Sequence, residues 1–183
     1  MVTFVKYQIM KRSTYLLIFT LVLLCMKVQA QDLTPGKNMV RSYIGELGKS
    51  EKLFLEGIKE KPTADTSFGF RRVYQAGLTS DFLQTAEFYF TGKGDYRLYE
   101  IILEFKDKAT REAIVKELLG APNYPGQEDH WILKGPRDIT CVAWAFNSKL
   151  VVATALQDSE WVGEKLFEIP ADYKITLSYK NNP

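Results

Sequence analysis

His130 is the single histidine of this chain, so any imidazole chemistry must be built around it. A Ser-His-Asp site needs its serine on a strained elbow beside that base, and no Gly-x-Ser-x-Gly segment occurs. Asp129-His130-Trp131 instead opens a run of strand formers, where an imidazole reads as a solvated or hydrogen-bonded strand residue. Zinc wants several Cys or His ligands, whereas the chain carries only Cys25 and Cys141 beside its one histidine. Cys141 sits mid-strand between apolar neighbours, the setting of a buried and inert thiol. Gly48-Lys49-Ser50 imitates the end of a phosphate-binding loop, but the loop's first glycine falls on Tyr43 and no strand precedes it. No metal site, catalytic residue or cofactor is expected on this basis.

Acid-only chemistry needs no more than two carboxylates at a set separation, and Asp65, Asp81, Glu87, Glu100 and Glu104 are available for it. Glu100 and Glu104 alternate along a strand pattern, however, which is what a solvated sheet surface produces. The positive feature is aromatic density, 13% of the chain. Tyr89, Tyr99, Trp131 and Trp144 fall on expected strands, and Trp161 falls in the tail. Most aromatics of a small domain build its core. Those left on a sheet face would be docking anchors, because Trp and Tyr are favoured at binding hot spots.

These side chains must be positioned by elements that follow an N-terminal leader. Lys6, Lys11 and Arg12 precede the apolar run Thr14 to Met26, and Val28-Gln29-Ala30 supplies small residues at a cleavage site. The run is shorter than the roughly 20 residues a membrane-spanning helix needs. Residues 1–30 are therefore expected to be an export signal, cut after Ala30. Leu23 and Leu24 before Cys25 make a poor lipobox. Cleavage removes four basic residues and no acidic ones, turning a net charge of +2 into −2. A near-neutral body has no electrostatic footprint for nucleic acid.

Residues 31–183 suit one domain, with Cys141 as its lone cysteine and packing as its source of stability. Short helices are expected at 39–44 and 51–59, then a loop at 61–66, then strands at 68–75, 85–91 and 97–106. In the last of these, Tyr99, Ile101, Leu103 and Phe105 are expected on one face and Leu98, Glu100, Ile102 and Glu104 on the other. A helix follows, capped by Asp107 or Thr110 and stopped by Gly120 and Pro122. Strands at 130–133, 139–146 and 150–156 complete the pattern, with Asn147-Ser148-Lys149 as a tight turn. In the middle one, Cys141, Ala143 and Ala145 form a small-residue face over which helices can pack closely. The tail holds a short helix or a loop and strand at 159–167, and an edge strand at 173–179. The fold class is thus α+β, an antiparallel sheet with helices packed on one face. The order reads as two tandem helix-plus-three-strand units, 34–106 and 107–156, with a C-terminal extension at 157–183.

Leu118-Leu119-Gly120-Ala121-Pro122, leading from a helix into antiparallel strands with a tight hairpin, resembles the small outer-membrane assembly lipoproteins of the SmpA/OmlA (BamE-like) type. The duplicated arrangement is similar to the β-lactamase-inhibitor-protein-like fold. The resemblance covers residues 34–156 as architecture and carries over no site residue. It implies a binder or scaffold with one sheet face free for a partner.

The expectation is an exported envelope or periplasmic protein that acts as a non-catalytic binding module. Tyr89, Tyr99, Trp131 and Trp144 are its candidate anchors, and another envelope or extracellular protein is its partner. No nucleic acid partner and no transmembrane span beyond the leader are expected. The rival readings are a carrier of a lipid or other apolar ligand and an acid-only hydrolase.

Overall fold

A computed structural model describes residues 31–64 and 67–180. The leader and Asp65 lie outside the described residues. Helix α1 spans Thr34–Ile44, α2 spans Glu51–Gly57 and α3 spans Lys108–Leu119. The strands are β1 Thr63–Ala64, β2 Arg71–Gly77, β3 Leu83–Thr91, β4 Leu98–Phe105, β5 His130–Lys134, β6 Thr140–Phe146 and β7 Lys149–Ala153.

The ends of α3 show why it forms where it does. Asp107 accepts the Thr110 backbone N–H at 2.7 Å, satisfying a donor the first turn leaves free. Gly120 then takes φ 70°, a left-handed exit that a side chain would strain. Helix α1 carries Pro35 in its first turn, where the fixed φ of proline suits the helix. It approaches α3 closely at Gly36, where an added Cβ would meet Ile114 Cδ1 at 2.5 Å and the Phe82 ring at 2.9 Å.

All seven strands join one antiparallel sheet in the order β1-β2-β3-β4-β7-β6-β5. Two three-stranded meanders, β2-β3-β4 and β5-β6-β7, therefore meet through their third strands. The helices pack on one face. There Val40, Ile44, Phe54, Ile114 and Leu118 close over Phe88, Phe90, Ile101, Leu103, Cys141, Ala143 and Val152, all fully buried. Phe54 ties the rings together, lying 4.6 Å from Phe88 and 5.3 Å from Phe90. The small face of β6 is where this core needs room, as its sequence pattern requires. Tyr43, Phe54, Phe88, Phe90 and Phe105 fill the interior that an apolar-ligand carrier would leave hollow.

Two expectations need correction. β4 does not alternate strictly, because Tyr89 pairs with Glu100 while Phe90 pairs with Leu98, leaving Tyr99 as an extra residue. Leu98 joins the core under the helices, and Tyr99 turns to the opposite face with Glu100. The tail is also not a helix or a strand. From Thr154 the chain leaves the sheet, makes one 3-10 turn at Lys165–Phe167, and returns to β5 through a single parallel bridge, Lys134 to Ser178. Among the described residues no helix is long and apolar enough to cross a membrane.

Candidate functional site

Strand parity puts Arg71 of β2, Glu87 and Tyr89 of β3, Glu100 of β4, Ala153 of β7, Trp144 of β6 and His130 of β5 on the helix-free face. The β4 bulge adds Tyr99 to them. The chain leaves the sheet at Thr154, whose backbone N–H donates to the Tyr99 carbonyl at 2.8 Å, and residues 155–168 cross one half of the face as a strap held by discrete side-chain anchors. Arg71 Nη1 donates to both carboxylate oxygens of Glu160 at 3.1 Å. The Tyr99 hydroxyl donates to Glu160 Oε1 at 3.2 Å. Trp161 Nε1 donates to Glu100 Oε2 at 2.8 Å, and its ring meets Trp144 edge-on at 5.5 Å. The Tyr124 hydroxyl donates to the Leu166 carbonyl at 3.0 Å. An aromatic row results, running Tyr124, His130, Trp144, Trp161, Phe167.

Glu100 is the electrostatic centre of this cluster. It is only 5% exposed, not the solvated surface acid that its alternation with Glu104 predicts. Burial raises its pKa to about 7, Glu160 and Glu87 push the same way, and the Trp161 N–H and Arg71 oppose them. The Arg71 guanidinium works against its own burial and gains charge stabilisation from Glu160, Tyr99 and Tyr89. Burial and the neighbouring Glu160 and Glu100 carboxylates push the Tyr99 hydroxyl well above its ordinary value, so it stays a neutral donor. Two buried polar atoms of the seat, Arg71 Nε and Ser159 Oγ, have no hydrogen-bond partner.

Of the four expected anchors, Tyr89 and Trp144 lie half-buried on this face. Tyr99 is fully buried beneath the strap. Trp131 is not on the face at all, since it packs in the helix-side core and donates to the Gly120 carbonyl at 3.2 Å. Beside this face lie the exposed aromatics Phe68 and Phe70, which the residue pattern places in a strand at 68–75. These two rings are 45% and 55% exposed. They stack at 5.5 Å, with the Arg71 guanidinium within 5.3 Å of both and of Tyr89. Their short spacing around Gly69 was the available signal.

The other chemistry-bearing residues are dispersed. His130 starts β5 stacked on Trp144, and burial lowers its pKa although Asp129 opposes that. Cys141 lies across the sheet in the core, where burial pushes its thiol up to about 12. Gly48 and Lys49 pair with the Leu98 backbone at 2.7 and 2.9 Å, so Gly48-Lys49-Ser50 is a sheet-side turn. Glu87 takes the Tyr89 hydroxyl at 2.8 Å, and Glu104 takes that of Thr85 at 3.1 Å. Among the described residues no group of three or more His, Cys, Asp or Glu is placed to hold a metal ion. Surface hollows open between the 136–138 turn and residues 175–180, between α1 and residues 57–60, and between residues 91–97 and the start of the strap at 156–158.

Compared with known proteins, the chain matches no family model, no curated protein and no solved structure.

Proposed function

We propose that this is an exported envelope protein acting as a non-catalytic binding module, which docks a protein partner on the helix-free face of its sheet. The observation that carries this reading is the Phe68–Phe70 stack. Two large rings, half in water, sit against an arginine and a half-buried tyrosine at the rim of that face. Aromatic and arginine side chains in this grouping are the usual energetic centre of an interface. Docking on the face also fits the state of the β5 edge, where strand addition is blocked. Asn123 bonds both backbone groups of Ile132 with its side chain, at 2.6 and 2.9 Å. Lys134 exchanges backbone bonds with Leu177 and Tyr179 at 2.8 and 3.2 Å.

The test is the variant Phe68→Ala/Phe70→Ala, followed by native gel analysis of envelope extract. The rings are half exposed, so losing their stack and cation–π contacts is expected to cost about 1–2 kcal/mol and to leave the protein folded. The high-mass complex that contains the protein is expected to disappear while the folded monomer remains. An unaltered complex would contradict the reading.

One observation favours a second reading, acid–base hydrolysis: Glu100 has a pKa of about 7 beside Glu160. Such a carboxyl can hold or give a proton near neutrality. Trp161 covers it, so turnover would require the strap to lift. Hydrolysis of a glycoside or ester that vanishes in Glu100→Gln is the result that would favour this reading over docking.

A further inference from the structure

We infer that the strapped half of the sheet face is a peptide-recognition groove that reads an acidic residue followed by tryptophan, with the chain's own Glu160-Trp161 as resident occupant and a partner segment of the same chemistry as its exchange ligand. This deepens the docking proposal, since it names what the same face takes.

The strap is seated in the manner of a bound peptide. It contributes no strand to the sheet, and its regular structure is one 3-10 turn. Its hold on the face comes from side chains in separate subsites. The Glu160 side chain, 31% exposed, is met on its inner side by Arg71 and the Tyr99 hydroxyl. The Trp161 indole packs edge-on against Trp144 of the face, with Phe167 of the strap itself beside it, and its N–H finds the Glu100 carboxylate at 2.8 Å. Val162 and Gly163, immediately after, turn outward, with Val162 57% exposed. A cation with a phenolic donor beside it selects a carboxylate, and a carboxylate beside an aromatic ring selects an indole over a phenyl ring.

The seat is also imperfect, which makes exchange energetically accessible. Closure leaves Arg71 Nε and Ser159 Oγ buried and unpaired. It also encloses the Glu100 carboxyl among Glu160, Glu87, Tyr89, Tyr99, Arg71 and Trp161. Each unpaired buried group weakens closure, because the same group is hydrated when the strap is away. The strap's own entry is exposed at Gln157 and Asp158, where Asp158 takes φ 68°.

A protease site inserted between Gln157 and Asp158 allows the folded full-length protein to be nicked, with every residue kept. A labelled peptide of residues 158–183 is then added, and its uptake is followed by anisotropy. The peptide is expected to replace the resident tail reversibly and to saturate. The Trp161→Ala and Glu160→Ala peptides should each bind more than about tenfold more weakly. A shorter unrelated peptide with an internal Glu-Trp pair should compete, and its Gln-Phe counterpart should not. Loss of the sheet on nicking would overturn the inference, since the strap would then be part of the core. A tail that stays in place against excess peptide, or uptake indifferent to Trp161 and Glu160, would overturn it as well. Those failures leave the Phe68–Phe70 result untouched, so the two proposals fall separately.

Discussion

Glu100 is a carboxyl whose burial lifts its pKa far above the ordinary carboxylate range. A carboxyl that holds its proton more tightly in the fold than in the unfolded chain stabilises fully below the unfolded value. Its contribution is withdrawn as pH climbs to the folded value. For Glu100 that window runs from about 4.5 to about 7. The amount withdrawn is on the order of 3 kcal/mol. Glu100→Gln keeps an acceptor for the Trp161 N–H and removes the buried charge. The variant is expected to be more stable than the parent above pH 7, by up to about 3 kcal/mol, and equal to it or weaker near pH 4. Urea melts across that range check the prediction. A parent whose stability is flat from pH 4.5 to 7 would contradict the placement of Glu100 under Trp161.

At the scale of elements, α1 and α3 are locked by the missing side chain of Gly36. Gly36→Ala gains helix propensity but drives a methyl group into Ile114 and Phe82. A net loss of about 1–3 kcal/mol is expected from overpacking. Ile114→Val, which removes the nearest atom, should recover part of it, and a double-mutant cycle in urea reads the coupling. Helix α3 and the β6–β7 hairpin were legible because their signals are local, whereas α1 was expected only from 39 and begins at Thr34. Asp107 and Gly120 bracket α3, and the small-residue side of β6 announces a close-packed face. The β4 bulge was not legible. Strict alternation placed Tyr99 in the core and Leu98 outside, and pairing with Tyr89 and Phe90 does the reverse. Register belongs to two strands together and leaves no mark on one. The candidate site was still less visible. Glu160 and Trp161 meet Tyr99 and Glu100 across 61 positions of chain, through a segment with neither helical nor strand periodicity.

For the molecule as a whole, the distribution of helices sets the possible use. The buried apolar side chains of α1, α2 and α3 all lie on one side of the sheet, while α2 leaves Leu53 and Leu55 exposed. The other side carries a strap over one half. Its free half mixes Thr85, Glu104 and Lys149 with the half-buried Ile102 and the exposed Phe146. Polar groups surround two apolar side chains there. A photo-cross-linking residue placed at Phe70, compared with one at the exposed Lys116 of α3, asks directly which side meets a partner in the cell. The account predicts a discrete protein adduct from position 70 and none from position 116. Adducts from 116 alone, or none from 70, would contradict docking on the helix-free face.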